Sequence, residues 1–173
     1  MDNVNIYIET RIRTLRARRG LYAYLLEFID SRGYPRTKTG FGELENTTET
    51  RLALTAATEA LKRFRKPCAV RVNTECGGVL NALSNGWVWE WKKQDWKNAK
   101  GDPVKNGELW KECTGLLESH LYSFETGHHA YKVRLQYDLK RIEAGETTAE
   151  RLNQLENLPP NRRRTERRYE QYE

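Results

Sequence analysis

The hydrophobic period changes several times along this chain, and each change marks an element. Residues 3–9 (NVNIYIE) alternate polar and apolar positions and predict a first strand with Glu9 at its end. Residues 21–29 (LYAYLLEFI) form a long apolar strand. Turn chemistry at residues 31–35 leads into 37–44, the third strand of an antiparallel meander. From Asn46 the period becomes helical. Thr47 or Thr48 can cap a helix in which Leu52, Ala56, Ala60, Leu61 and Phe64 recur as far as Lys66-Pro67. Residues 68–74 (CAVRVNT) then form a short β-branched run, a fourth strand lying parallel to the first after a helical crossover. Glu75 follows, then Gly77-Gly78 and a short helix to Leu83. Further on, residues 108–119 predict a helix, 120–124 a fifth strand, and 130–143 a last long helix with Val133, Tyr137 and Leu139 as its apolar contacts.

The end of the sequence differs in character. TTAERLNQLENL, residues 147–158, reads as a capped amphipathic helix that Pro159-Pro160 stops. The last thirteen residues carry five arginines and almost no apolar side chains, the composition of a loosely ordered tail. The expected organisation is one domain over residues 1–145 with a protrusion at 86–107, an added helix at 146–158 and a basic tail at 159–173.

Composition narrows the class. A chain of 173 residues with 38% hydrophobic and 31% charged positions suffices for one soluble domain with a core. A net charge of +6 favours an anionic partner. No apolar run is long enough to span a membrane, so the expected setting is the cytoplasm, without membrane or small-molecule cofactor, and a monomer. Three cysteines without C-x-x-C spacing predict reduced, buried thiols rather than a disulfide frame or zinc site.

The charge is concentrated in two places. Residues 86–110 read GWVWEWKKQDWKNAKGDPVKNGELW and hold all five tryptophans, with Lys92, Lys93, Lys97, Lys100 and Lys105 threaded among Trp87, Trp89, Trp91, Trp96 and Trp110. A protrusion stiffened by aromatic rings and studded with lysines suits a phosphate backbone. The plainer alternative is a helix hairpin whose tryptophans face a core and whose lysines face water. The second concentration is the arginine run Arg11, Arg13, Arg16, Arg18 and Arg19.

The order of residues in 86–110 resembles the substrate-binding handle of bacterial type 1 ribonucleases H. The matching pieces are Trp91-Lys92-Lys93, Trp96-Lys97, Pro103-Val104-Lys105-Asn106 and Leu109-Trp110. The succession of three strands, helix, strand, helices, strand and helix is also that family's. The resemblance implies an α/β ribonuclease H-like fold with a five-stranded mixed sheet, and an RNA/DNA hybrid as the nucleic-acid partner. Trp87, Trp91, Trp96, Lys92, Lys93, Lys97, Lys100 and Lys105 are the contacts it implies; Arg11, Arg13 and Arg16, where the chain departs from the family, add charge expected to face the same groove.

Two-metal phosphodiester hydrolysis needs carboxylates converging on ions about 4 Å apart. By resemblance, Glu9 and Glu75 stand at the two strand-end acid positions, each one methylene longer than the family's aspartate. Asp138, ten residues after His128, stands at the last-helix acid, with His128 as the loop histidine. The implied metal ligands are Glu9, Glu75 and Asp138, with Mg²⁺ or Mn²⁺ as the ion. Ala53 falls where the first-helix glutamate belongs, which weakens that set; Glu49, one turn earlier, is a substitute displaced by about 5 to 6 Å. Where the family has a glycine-rich turn after the first acid, this chain has the arginine run. Two readings stay open: a module that grips a hybrid with weak or no cleavage, and an endoribonuclease using Glu9, Glu75, Asp138 and Glu49. A pure protein scaffold would leave the basic handle without a purpose.

Overall fold

The computed structural model describes residues 1–12 and 19–159. Arg13, Arg16 and Arg18, with the tail from residue 160, lie outside the described residues. Strands β1 (Asn3–Ile12), β2 (Gly20–Ile29) and β3 (Pro35–Leu44) form the antiparallel meander. Helix α1 (Glu49–Leu61) crosses over to β4 (Ala69–Asn73), parallel to β1. Helices α2 (Gly77–Ser84), α3 (Trp87–Lys93) and α4 (Gly107–Leu117) precede β5 (Leu121–Glu125), parallel to β4. Helices α5 (Lys132–Glu143) and α6 (Ala149–Glu156) follow. The sheet order is β3-β2-β1-β4-β5, the five-stranded mixed α/β sheet expected from the sequence.

Both faces of the sheet are covered, and β2 shows why its sequence is apolar nearly throughout. Tyr24 and Leu26 point into a core with α1, α2 and α4, whereas Leu21, Ala23 and Leu25 point into a second core with α5 and α6. Asp30 fixes the β2–β3 turn: its Oδ1 accepts from the backbone N–H groups of Arg32 and Tyr34, and Gly33 takes φ +84°. Thr48 caps α1, its Oγ1 accepting from the Arg51 N–H. That helix stops at Leu61, short of the expected Pro67. The Arg63 and Phe64 amides bond to carbonyls three residues back, a tightened last turn.

The three cysteines are free and buried, as expected. Burial pushes the Cys113 thiol up to about 12, so it stays protonated at any ordinary pH.

Helix α5 turns differently from the sequence expectation. Leu135, Leu139 and Ile142 are buried, while Val133 and Tyr137 are exposed. Helix α6 lies along β3 and adds Leu152 and Leu155 to the second core. There the Asn153 amide pairs with Phe41 in both directions, accepting from its N–H and donating to its carbonyl, and the buried Glu156 accepts from the Thr39 N–H.

Two tyrosines of β2 lie flat over glycines of β3, in the register pairs Tyr22–Gly42 and Tyr24–Gly40. A Cβ at Gly42 would sit 2.1 Å from the Tyr22 ring and one at Gly40 2.2 Å from the Tyr24 ring. Gly42→Ala therefore displaces a packed ring and lowers stability by about 1–3 kcal/mol, read as a lower midpoint in urea unfolding. An unchanged midpoint would mean that the ring moves aside freely.

Candidate functional site

At the carboxyl ends of β1 and β4 the structure opens a cleft of about 300 Å³. Its walls include Glu9 and Thr10 of β1, Thr74 and Glu75 just past β4, Glu49 at the start of α1, and Lys132 and Gln136 of α5. Strand alternation explains the placement of Glu9. Ile6 and Ile8 point into the first core, so Tyr7 and Glu9 point to the face that α5 covers.

Glu9 is only 4% exposed, and a buried carboxylate needs partners. Its Oε1 accepts from Lys132 Nζ at 3.0 Å and from Gln136 Nε2 at 3.0 Å, and its Oε2 lies 3.1 Å from His129 Nε2. Gln136 Nε2 also reaches the Thr10 carbonyl at 3.2 Å, and the His129 ring stacks on Tyr7 with centroids 4.6 Å apart. Lys132 reaches Glu75 as well, with Nζ 3.0 Å from Oε2, so one ammonium joins the two strand-end acids. Burial alone would lower the Lys132 pKa. The hydrogen bonds and charges of Glu75 and Glu9 outweigh it and raise the group above its ordinary value.

Of the acids expected from the sequence, Glu9, Glu75 and Glu49 all line the cleft. Ala53 is fully buried in the first core. Asp138 does not line the cleft. It follows Gln136 by two residues, which turns it about 200° around the helix axis, and it lies 3.4 Å from Arg141. The histidine beside the cleft is His129 rather than His128, which is exposed. Lys132 and Gln136 were not foreseen. Their signal was the spacing of His129, Lys132 and Gln136, one face at the start of a helix.

No three His, Cys, Asp or Glu side chains among the described residues are gathered to hold a metal ion. With Lys132 joining Glu9 to Glu75, and with N–H donors at both oxygens of Glu9, the set as it stands does not fit the divalent ion that the sequence resemblance implies.

The handle follows α2. Gly86, at φ +71°, admits α3, and Asp95 and Trp96, both left-handed, reverse the chain after it. A bridge pairs Lys97 with Pro103, and Asn98 Oδ1 accepts from the Lys100 and Asp102 amides, so the turn between them is internally tied. Trp110 is 2% exposed in the core, and Trp91 tilts against it at 6.1 Å. Trp89 stacks on Tyr122, with the Lys92 ammonium over its ring at 5.9 Å. Trp91 and Trp96 thus anchor the handle inward, whereas Trp87 is 47% exposed.

Lys97, Lys100 and Lys105 lie on the exposed surface. Lys92 is held by Glu118 and Lys93 by Glu90. Arg11 is paired with Glu143 of α5.

Carboxylates at the ends of two adjacent parallel strands, in a sheet of this order with helices on both faces, define a ribonuclease H-like α/β protein. A basic handle anchored by the buried Trp110 and the partly buried Trp91 and Trp96 completes the description. The chain belongs to the ribonuclease H family: the family described as RNase H matches residues 4–132.

Ribonuclease H of Lachnoclostridium phytofermentans is 33% identical over 121 residues, 70% of this chain and 77% of that protein. Ribonuclease H of Cupriavidus necator is 40% identical over 96 residues, 54% of this chain and 66% of that one. For ribonuclease H of Caldicellulosiruptor saccharolyticus the identity is 37% over 94 residues, 54% of this chain and 63% of the relative. The chain therefore spans less than two thirds of the length of the latter two. Among solved structures, LC9-RNase H1, a type 1 RNase H with the type 2 active-site motif, superposes with TM-score 0.69 at 20% identity, covering 84% of this chain and 74% of that one. A foamy viral protease-reverse transcriptase in complex with RNA/DNA hybrid gives TM-score 0.56 at 14% identity, covering 80% and 18% respectively. The family match ends at Lys132, in the first turn of α5.

Proposed function

We propose that this chain grips an RNA/DNA hybrid, or another A-form duplex, through its basic handle, and cuts it weakly or not at all. One observation carries the second half of that reading. Ala53, which the sequence resemblance sets at the first-helix glutamate position, is fully buried, and Asp138, which it sets at the last-helix acid, is not among the residues lining the cleft that holds Glu9 and Glu75. In-line displacement needs charge on both the attacking and the leaving oxygen, held to within an ångström. Two glutamates joined by a lysine supply neither the ligand number nor the spacing. The first half rests on the handle, whose exposed lysines ride on a surface anchored by Trp91, Trp96 and Trp110. The relatives named Ribonuclease H, and the fold neighbour solved with an RNA/DNA hybrid, support that choice of partner.

A second reading, an active endoribonuclease, draws on Glu49, which lines the same cleft as Glu9 and Glu75. Both readings meet one assay. A hybrid labelled on its RNA strand is incubated with Mg²⁺ and with Mn²⁺, beside an active ribonuclease H and a Glu9→Gln variant. The expected result is salt-sensitive binding with cleavage at least about 1,000-fold slower than the active enzyme, the loss typical of a disrupted catalytic constellation. Cleavage within tenfold of the active enzyme, abolished by Glu9→Gln, would establish the second reading instead.

A further inference from the structure

The Lys132 ammonium lies 3.0 Å from Glu9 Oε1 and 3.0 Å from Glu75 Oε2. Glu9 is 4% exposed, and each of its oxygens meets an N–H donor or ring nitrogen contributed by His129, Lys132 or Gln136. A divalent ion of the magnesium class needs near-octahedral oxygen ligation at about 2.0–2.1 Å, with lone pairs turned toward it. Here the lone pairs of the most buried acid are turned toward nitrogen donors that repel a cation. A carboxylate so buried still requires a compensating positive charge, and the chain supplies one from its own first turn of α5.

We propose that Lys132 is the resident cation of this cleft: its ammonium takes the place between the β1 and β4 carboxylates that a divalent ion would take, and Gln136 and His129 hold Glu9 in the arrangement suited to it. Lys132 is thus a specificity-determining residue. It sets which cation, built-in or dissolved, neutralises Glu9 and Glu75. The inference rests on reading the cleft as a ribonuclease H-like site. It does not depend on whether the handle binds a hybrid.

A divalent ion entering this cleft must first displace the ammonium, so removing the ammonium strengthens metal binding. The test titrates the metal-free 173-residue chain with Mn²⁺ in about 0.15 M salt, following the free aqua ion by electron paramagnetic resonance. Lys132→Met and Lys132→Gln bind Mn²⁺ about 10- to 100-fold more tightly than the unaltered chain, the range seen when groups around metal ligands are changed. Lys132→Arg, which keeps the positive charge, stays as weak as the unaltered chain. Mn²⁺ raises the thermal midpoint of the two neutral variants and leaves that of the unaltered chain in place.

Equal Mn²⁺ affinity in all four proteins, or affinity in Lys132→Arg as tight as in Lys132→Met, overturns the proposal. If Lys132→Met fails to fold, Lys132→Gln decides, because it removes the positive charge while keeping a polar side chain in the cleft. If neither folds without metal, folding rescued by added Mn²⁺ supports the resident-cation role, and failure of rescue overturns it. Hybrid binding is measured separately on the unaltered chain, so loss of the hybrid-grip reading and loss of this one are told apart.

Discussion

Replacing Lys97, Lys100 and Lys105 together by alanine weakens hybrid binding by about 100-fold near 0.1 M salt and reduces the slope of log affinity against log salt by about 2 to 3. Each phosphate contact releases close to one condensed counterion, so three lost contacts remove three such terms. These lysines are the ones to change because they are exposed at the end of a rigid arm. The turn bearing Lys97 and Lys100 is tied by the Lys97–Pro103 bridge and the Asn98 side chain, and neither tie uses a lysine ammonium. The fold is therefore preserved while the charge is lost. Lys38→Ala, on the outer strand β3, serves as the control and leaves both affinity and slope unchanged. A triple variant with an unaltered salt slope would show that the handle does not meet the nucleic-acid backbone.

Trp110→Ala has the largest effect on stability, about 3–5 kcal/mol, the usual cost of removing a buried indole and leaving a cavity. Trp110 is 2% exposed, belongs to the core beneath α1, and supports Trp91 of the handle from 6.1 Å. Trp87→Ala, at a ring 47% exposed, costs about 1 kcal/mol or less. Urea unfolding of the two variants side by side measures the difference. A cost below about 1 kcal/mol for Trp110→Ala would mean that the handle and the core are not mechanically joined at this point.

The contrast between those two tryptophans marks how far the sequence could be read. Periodicity identifies the five strands and the main helices, though not α3 in the handle, because a two-residue repeat in 3–9 and a helical repeat from Thr48 follow from backbone geometry alone. It could not say which side of α5 faces inward. Val133 and Tyr137 form as plausible an apolar pair as Leu135 and Leu139, and the choice is made by Leu21, Ala23 and Leu25 of β2 far away in sequence.

The same limit applies to the cleft. Glu9 and Glu75 are legible because each closes an alternating apolar run; β1 in fact continues to Ile12, and the two acids meet because each lies two residues past the last β1–β4 pair, Tyr7–Asn73. Asp138 was placed by counting residues from His128, and counting fixes distance along a helix without fixing its angle. Lys132 shares with His129 and Gln136 a spacing that sets all three on one helix face, but a lysine serving as counter-ion to two glutamates looks in sequence like any solvated lysine. Arg11 shows a related limit: an arginine-rich run suggests phosphate, and nothing in it signals that the fold also supplies Glu143, 132 residues away, as a partner.

The pairing of α6 with β3 has a consequence for how the molecule behaves in a crowd of its own copies. An outermost strand with bare amides is a template on which another chain can add a strand, and that addition is the first step of runaway assembly. Asn153 answers Phe41 as a neighbouring strand would, but through a side chain, and Glu156 covers Thr39 beside it. A helix cannot be extended sideways by a further strand, so the growth surface ends there. Residues remote from both cleft and handle thereby close this part of the rim, and a truncation that removed α6 while sparing every cleft side chain would leave the outward amides of Thr39 and Phe41 bare.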